Sequence, residues 1–295
     1  MPELPEVETV RRGLEPVLAG ARLRRVVQRR PDLRFPLPER FVERLEGRTL
    51  QRLDRRAKYI LGFLDSDEVL AIHLGMTGRF SIALPGGPNG RQLGEFTHEA
   101  GHDPTHDHVI FETDAGATIT YNDARRFGYM SLIPAPVLAV HPHFKGLGIE
   151  PLGPELTPEF LARKAMGRTA DLKAFLMDQR IVAGLGNIYV CEALYRSGLS
   201  PSRAASVLAR SNGKPTERCE RLVVAIREVL EAAIAAGGST LRDYRHTDGS
   251  LGYFQHSFSV YGREDEACRT PGCPGTVKRI TQAGRSTFYC GRCQR

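Results

Sequence analysis

Four cysteines near the end of the chain constrain its fold more than any other feature. They follow the pattern Cys268-x4-Cys273-x16-Cys290-x2-Cys293. A structural zinc ion takes four ligands in a tetrahedron, and two cysteine pairs on neighbouring hairpins supply them. Strand-forming residues at 276–281 and 286–289, with a Gln-Ala-Gly turn between them, predict the hairpin of such a zinc ribbon. Disulfides and free thiols are the alternatives, and disulfides are rare in the cytosol.

Charge and hydropathy narrow the class of protein. The chain has 295 residues, a net charge of +7 and a pI of about 9.2. This excess of positive charge favours a polyanionic partner, nucleic acid ahead of a membrane surface. No stretch approaches the roughly 18 uninterrupted apolar residues of a membrane helix, and the acidic, proline-rich start does not resemble a signal peptide. We therefore expect a cytoplasmic protein, and a monomer, because nothing in the sequence suggests a dimer surface.

The pattern of apolar residues changes along the chain. Val7, Val10, Leu14 and Leu18 keep helical spacing, and short strand-like runs punctuated by Gly, Asp and Asn then continue to about residue 134. Such runs predict a two-layer β-sandwich. Residues 85–105 are polar and glycine-rich and predict a mobile loop. After a proline- and glycine-rich linker the pattern becomes helical, with predicted helices at 158–166, 171–178, 187–196, 203–209 and 216–236.

The start of the chain carries candidate chemistry. If the initiator methionine is removed, Pro2 presents a free secondary amine with a pKa near ~8, so a useful fraction is neutral at physiological pH. Neutral amines attack sugar or carbonyl carbons to give Schiff bases, and the nearby carboxylates of Glu3 and Glu6 are suited to acid–base work. The alternative is structural: prolines stiffen the start, and the glutamates favour the N-terminal end of a helix.

Three other groups of residues suggest contacts with nucleic acid. The turn Gly184-Leu185-Gly186 leads to Asn187, a candidate helix cap, and Lys173 lies on the preceding helix towards the same side; an ordinary helix–turn–helix corner is the alternative. Arg285 at the hairpin tip would reach a phosphate or remain a solvated charge. Met76 and Phe127 suit an apolar wedge between bases, but alone they also suit the core of strands.

Two further groups of residues favour structural roles. The histidines at 98, 102, 106 and 108 suggest a metal site, but Gly101 and Pro104 interrupt any helix that would align them, so a solvated loop is favoured. Cys191 and Cys219 fall in helical stretches and are expected to be buried apolar residues.

The start of the chain, the candidate wedge, the turn before Asn187 and the four cysteines occur together, in this order, in one family. From Pro2 to the last cysteine the chain resembles the bacterial formamidopyrimidine-DNA glycosylases, zinc-finger enzymes that repair oxidised purines. The motifs that carry the resemblance are Pro-Glu-Leu-Pro-Glu-Val-Glu at 2–8, Arg55-Arg56-Ala57-Lys58-Tyr59, His73-Leu74-Gly75-Met76, Arg125-Arg126-Phe127-Gly128, Gly186-Asn187-Ile188-Tyr189 and the four cysteines.

The resemblance implies an α+β fold in four parts. A two-layer β-sandwich with flanking helices would occupy 2–134 as the catalytic domain, followed by a linker at 135–158. A helix-two-turn-helix DNA-binding domain would occupy 159–257, and a zinc finger with one structural Zn²⁺ would occupy 258–295. Double-stranded DNA containing oxidised purines would be the partner, in the bacterial cytoplasm at the nucleoid.

The resemblance also implies roles for single residues in a glycosylase and AP lyase. Pro2 would attack the sugar, Glu3 would transfer protons during ring opening, and Glu6 would support this site. Lys58 and Arg285 would assist the reaction and contact phosphates. Further DNA contacts would come from His73, Lys173, Asn187 and Tyr261, and the gap left by the flipped base would be filled by Met76, Arg125 and Phe127, with Arg125 reading the orphaned cytosine. The loop Thr247–Phe254 would cover the extruded damaged base.

The chain departs from the family pattern in three places. Ala124 stands where proline commonly precedes the paired arginines, the first cysteine pair is wider than usual, and the insert at 85–105 is long. The nearest rival is the endonuclease VIII type, which starts with Glu-Gly-Pro-Glu and lacks the Arg-Arg-Phe-Gly motif in this form. A second rival is a zinc-ribbon protein that binds DNA without catalysis, which would leave Pro2 and Glu3 unexplained.

Overall fold

A computed structural model describes residues 2–86, 91–93, 103–239 and 254–295. By contacts between Cα atoms the chain divides into two compact units, Met1–Lys145 with Ala236–Tyr253 (unit 1) and Gly146–Ala235 with Phe254–Arg295 (unit 2). Within the described ranges, no helix is both long and apolar enough to cross a bilayer.

The first helix of unit 1, α1, spans Leu4–Leu18 and begins with a reciprocal cap. The Glu3 side chain accepts from the Glu6 amide, and the Glu6 side chain accepts from the Glu3 amide. This arrangement satisfies two amide donors that a helix start otherwise leaves open. The predicted apolar face is confirmed, because Val7, Val10, Leu14 and Leu18 are buried in the core.

Among the residues of unit 1 that the structure describes, nine antiparallel strands form a sheet, in the spatial order β6-β5-β8-β7-β1-β2-β3-β4-β9. β1 pairs with β2 on one side and with β7 on the other, so it belongs to both layers. Core side chains from both ladders pack together, including Leu50 and Ile72 from one and Phe111 and Ile119 from the other. The two-layer sandwich is therefore confirmed. The strands are β1 (Ala21–Gln28), β2 (Thr49–Arg56), β3 (Tyr59–Leu64), β4 (Glu68–His73), β5 (Arg79–Ala83), β6 (Arg91–Leu93), β7 (Asp107–Thr113), β8 (Thr118–Asn122) and β9 (Tyr129–Pro134), with the short helix α2 (Phe41–Leu45) between β1 and β2.

Unit 2 is helical with a terminal hairpin, as predicted. Its helices are α3 (Pro158–Ala165), α4 (Leu172–Met177), α5 (Asn187–Arg196) and α6 (Glu217–Ala235), and its strands are β10 (Val277–Gln282) and β11 (Arg285–Cys290). Asp171 and Thr157 accept amide hydrogens at the starts of α4 and α3, as polar cap residues do. Cys191 and Cys219 are buried, as expected.

Two local predictions were wrong. The strand β6 lies inside the stretch 85–105 that the sequence predicted to be a loop, and it pairs with β5 at the edge of the sheet. The predicted helix 203–209 is only a 3-10 turn, Ala205–Leu208. At β6, pairing with the neighbouring strand outweighs the local preference for a loop. At Ala205–Leu208, packing against a neighbouring helix outweighs the local preference for a regular helix. Residues 87–90 and 94–102 of the predicted loop, with His98 and His102, lie outside the described residues.

Candidate functional site

The beginning of the chain is held on two sides. Pro2 is buried and Glu3 is 4% exposed. Oε2 of Glu6 accepts the Glu3 amide at 2.8 Å, while Oε1 accepts both the amide and the hydroxyl of Ser239 at 2.8 Å. With these three bonds the Glu6 carboxylate fixes the backbone next to Pro2, which fits the supporting role expected of it. Ser239 was missed; its only sequence signal is that it follows the glycines that end α6.

Lys58 lies in the turn between β2 and β3. The turn is tight because Ala57 has a left-handed backbone (φ +51°). Arg55 donates to the Ala57 carbonyl at 3.0 Å and to Glu8 of α1 at 3.1 Å. These bonds join the turn that carries Lys58 to the helix that follows Pro2. Lys58 is 9% exposed, so most of its side chain is withdrawn from bulk water.

His73 ends β4 within a cluster of aromatic rings. Its ring stacks on Tyr129 at 5.0 Å and meets the edge of Tyr59 at 5.0 Å. Burial, with the nearby charge of Lys58, lowers the pKa of His73 to about 4. Nδ1 accepts the Gly75 amide at 3.0 Å. The neutral ring therefore carries its proton on Nε2, the atom left to donate to a ligand.

The three predicted wedge residues lie in loops, not in strands. Met76 is half-buried in the loop after β4, whereas Arg125 and Phe127 are exposed in the loop before β9. The Arg125 guanidinium lies 4.6 Å from the centre of the Phe127 ring. Phe127 is 41% exposed, so a large part of its ring faces solvent. This placement excludes the alternative that Met76 and Phe127 form part of the strands' core. Ala124 is exposed in the turn before Arg125.

Of the four histidines for which the sequence favours a solvated loop over a metal site, the structure describes His106 and His108. His106 lies 3.7 Å from Asp103, and His108 is buried with Nε2 2.9 Å from the Asp123 carbonyl oxygen. Among described residues, the cysteine cluster is the one group of three or more metal-ligating side chains close enough to share an ion.

In unit 2, Asn187 starts α5 but does not cap it. Gly186 is the cap residue and Asn187 follows as the first helical residue, so the predicted cap was wrong. The Asn187 amide instead donates to the Ser286 carbonyl at 2.9 Å and to the Tyr261 hydroxyl at 3.5 Å. Its Oδ1 atom is buried and has no hydrogen-bond donor among the described residues. Asn187 and Tyr261 are thus adjacent side chains beside the hairpin.

Lys173 lies under the hairpin rather than on the surface. It is 2% exposed, and Nζ donates to the Ser286 carbonyl at 3.2 Å and to the Thr287 hydroxyl at 2.5 Å. Arg285, by contrast, is exposed at the tip next to the Ala283-Gly284 turn. Only Arg285 of these two cations presents its charge to the solvent. Of the loop Thr247–Phe254, residues 247–253 lie outside the described residues, and Phe254 is buried.

Glu192 of α5 is a second residue that sequence reasoning missed. It is 5% exposed, and its carboxylate accepts three successive amides, those of Ser259, Val260 and Tyr261, at 2.8–3.0 Å. The carboxylate therefore fixes the backbone that carries the Tyr261 side chain. The sequence offered little signal, because a glutamate on a helix is usually solvated.

The four cysteines fit a tetrahedral metal ion. All four Sγ atoms lie within 4.8 Å of one another, with Sγ–Sγ distances of 3.7 Å for Cys268–Cys293 and 3.8 Å for Cys273–Cys290. A tetrahedron with zinc–sulfur bonds of about 2.3 Å has edges of about 3.8 Å. Burial raises the pKa of the Cys268 thiol, but hydrogen bonds from Tyr195 and Thr270 outweigh it and lower the pKa to about 6. The donor set can hold a metal ion, and the layout is that of a zinc finger.

Comparison with known proteins covers both units. A family model described as the formamidopyrimidine-DNA glycosylase N-terminal domain matches residues 1–130, and one described as the formamidopyrimidine-DNA glycosylase H2TH domain matches residues 147–245. The formamidopyrimidine-DNA glycosylase of Afipia carboxidovorans is 59% identical over 295 residues, and that of Bradyrhizobium diazoefficiens is 57% identical over 295 residues. In both cases the match covers 100% of each chain.

Solved structures match along the whole length as well. The Lactococcus lactis Fpg in complex with DNA containing an abasic site is 32% identical, with a TM-score of 0.82 and 100% of each chain covered. A variant of the same protein in complex with DNA containing Fapy-dG gives the same identity, coverage and TM-score. The helical and sandwich units, the cysteine cluster and these full-length matches together establish that the chain belongs to the formamidopyrimidine-DNA glycosylase family.

Proposed function

We propose that the chain is a bifunctional DNA glycosylase and AP lyase of base excision repair that removes oxidised purines, 8-oxoguanine and formamidopyrimidines, from duplex DNA. One observation carries the proposal. The segment Pro2–Glu6 is held by the reciprocal cap and by Ser239, in a chain that formamidopyrimidine-DNA glycosylases match over its whole length. Nucleophilic attack on a sugar requires the secondary amine to be held in a fixed position.

The reaction begins with Pro2 after removal of Met1. Its nitrogen lone pair forms a bond to C1′ of the damaged nucleotide, and the C1′–N bond to the base breaks. The base leaves with the electron pair and takes up the proton that the amine nitrogen releases. Opening of the sugar at O4′, with Glu3 transferring the proton, gives the Schiff base. Loss of a C2′ proton then expels the 3′ phosphate, and a second elimination expels the 5′ phosphate. Hydrolysis of the Schiff base returns the amine.

Lys58 and Arg285 act on the phosphates in this scheme. Lys58 contacts the lesion phosphate and assists elimination, which suits a lysine in a tight, largely buried turn of unit 1. Arg285 is suited to phosphate contact because it is exposed at the tip of the hairpin in unit 2. A guanidinium remains charged throughout and can form two parallel bonds to a phosphate.

The remaining site residues bind the flipped and kinked DNA. An apolar wedge replaces the stacking lost when a base leaves the helix, and we assign this to Met76 and Phe127, with Arg125 reading the orphaned cytosine. The neutral ring of His73 donates through Nε2 to the backbone. Further backbone contacts come from Asn187 and Tyr261, whereas Lys173 acts mainly by holding the hairpin. The loop Thr247–Phe254 covers the extruded base.

One structural zinc ion completes the hairpin. Cys268, Cys273, Cys290 and Cys293 would hold it, and four protein ligands leave no open position for a substrate water. The ion fixes the hairpin that carries Arg285 and takes no part in the reaction. We further propose the domain limits 2–134, 135–158, 159–257 and 258–295, and a cytoplasmic monomer that meets its substrate at the nucleoid.

Borohydride trapping tests this function. The purified protein, with its intact mass confirming loss of Met1, is incubated with a duplex carrying one 8-oxoguanine opposite cytosine and reduced. A covalent adduct that maps to Pro2 and is absent with undamaged duplex is expected. A protein that binds the duplex but gives no adduct would contradict catalysis and indicate a DNA-binding protein alone. An adduct only with an oxidised pyrimidine would indicate the endonuclease VIII type.

A further inference from the structure

The two loops that carry the wedge residues touch through their backbones. One loop, residues 74–78, carries Met76, and the other, residues 123–128, carries Arg125 and Phe127. A Cβ placed on Gly75 would lie 2.3 Å from the carbonyl carbon of Phe127 and from the amide of Gly128. Gly75 also has a positive φ of 64°. Only glycine permits this approach, so the two loops pack backbone against backbone at this point.

Asp123 is bonded to both loops. It is 0% exposed. Oδ2 accepts the Gly128 amide at 2.8 Å and the Tyr121 hydroxyl at 3.2 Å, and Oδ1 accepts the hydroxyl of Thr77. Thr77 in turn accepts the amide of Arg125 at 3.2 Å. One carboxylate thus reaches the residue after Met76 directly and the amide of Arg125 through a single hydroxyl.

The backbone of Asp123 is fixed as well. Its amide donates to the His106 carbonyl at 3.0 Å, and its own carbonyl accepts from the Arg126 amide at 3.2 Å. No ion pair neutralises the carboxylate among the described residues, so its hydrogen bonds must compensate for burial. Removing one donor or rotating the group would leave polar atoms unsatisfied. The network therefore strongly favours one mutual arrangement of the two loops.

We propose that Asp123, acting through Thr77, is a positioning residue that holds Met76, Arg125 and Phe127 as one rigid group and so sets discrimination of the base opposite the lesion. The proposal rests on the proposed function, because it assumes that these side chains enter the gap left by the damaged base. Hydrogen-bond readout of one base edge depends on the placement of the reading side chain. A carboxylate that fixes the Arg125 amide acts on that placement without touching DNA.

Thr77→Val tests the link, because valine keeps the shape of threonine and removes the hydroxyl. Excision of 8-oxoguanine is compared opposite cytosine and opposite adenine under single-turnover conditions. We expect the cytosine-to-adenine ratio of rates to fall about tenfold, within the discrimination that one bidentate base contact supplies. Thr77→Ser, which restores the hydroxyl, should recover most of the ratio. Asp123→Asn, which keeps the shape and removes the charge, should lower the ratio in the same direction.

A matched control and a separate assay keep this result distinct from loss of folding or of catalysis. Thr113→Val removes another buried hydroxyl, which accepts the Ala117 amide at 3.1 Å outside the two wedge loops, and it should leave the ratio unchanged. Cleavage of single-stranded abasic DNA has no opposite base, so Thr77→Val should leave it within about twofold. Equal loss of activity opposite both bases, or a wild-type chain that does not discriminate, would overturn the proposal. Absence of any excision or trapping by the wild type would instead overturn the proposed function.

Discussion

The half-buried imidazole of His73 makes the stability of unit 1 depend on pH. In the folded protein its pKa is lowered to about 4, first by burial and then by the charge of Lys58, whereas an unfolded histidine titrates near ~6.5. Between these values the unfolded chain binds a proton that the folded chain does not accept. The free energy of unfolding therefore falls as pH drops from about 6.5, and the loss is complete near pH 4, by roughly 3 kcal/mol.

His73→Asn tests this prediction, because the asparagine oxygen can still accept the Gly75 amide but does not titrate. Urea unfolding is monitored through the hydrogen exchange of the β4 amides. The free energy of unfolding should fall less from pH 6.5 to pH 4 in the variant than in the wild type. Other histidines are common to both proteins and cancel in the difference. The control is His106→Asn, at a histidine paired with Asp103. Identical pH slopes for wild type and His73→Asn would show that His73 does not titrate in this way.

At the same scale, single residues mark the limit of what the sequence predicts. The cysteine cluster and the candidate residues at the start of the chain could be predicted because a fixed spacing or a terminal position identifies them. The roles of Asp123 and Glu192 could not be predicted, because they depend on groups far away in the sequence, such as the Thr77 hydroxyl and the Val260 amide. Lys173 was expected to contact phosphates, yet it is buried against Ser286, since a helical pattern does not show which face a later hairpin covers.

At the scale of elements, the position of the hairpin β10–β11 depends on its bonds to the buried Lys173, and the hairpin carries Arg285 exposed at its tip. Lys173 donates to Ser286 and Thr287, and a hydrogen bond from a charged donor contributes about 1.5–3 kcal/mol. We expect Lys173→Met to reduce hydrogen-exchange protection of β11 and to weaken binding of DNA containing an abasic-site analogue. Arg285→Ala should weaken the same binding but leave protection unchanged. Both variants should retain one metal ion by elemental analysis.

The same hairpin offers a matched control. Lys278→Met makes the same substitution at an exposed lysine of β10, and it should change neither protection nor metal content. If Lys173→Met and Lys278→Met behave alike, the buried bonds of Lys173 do not hold the hairpin. If Arg285→Ala binds as tightly as the wild type, Arg285 has no part in the DNA contact.

The elements themselves were predicted where the pattern is local. Helix α1 and strands such as β3 follow from spacing and turn residues, and the structure has them within a few residues of the prediction. The sequence does not show that β1 joins the two layers, because this depends on its pairing with β7, far away in the sequence. For the same reason the sequence predicts a loop at the short edge strand β6: two of its three residues are polar, and its pairing with β5 cannot be seen in the sequence.

At the scale of the whole molecule, an excess of positive charge predicts how DNA binding responds to salt. The chain carries +7, and zinc held by four thiolates would still leave it positive. Each phosphate neutralised by a side chain releases counterions, so the logarithm of the binding constant falls with the logarithm of salt concentration with a slope of about −0.9 per contact. We expect a steep linear fall for a lesion duplex.

Arg285→Ala should make this slope shallower by about 0.9, because one phosphate contact is lost. Arg24→Ala removes the same charge from an arginine that is already paired with Glu112 at 2.9 Å, and it should leave the slope unchanged. Fluorescence anisotropy of a labelled duplex between 50 and 200 mM salt, a range over which such proteins lose affinity steeply, measures all three slopes. Equal changes in both variants would mean that net charge alone governs binding. A flat response of the wild type would contradict a phosphate-dominated interface, because binding through backbone contacts cannot be independent of salt.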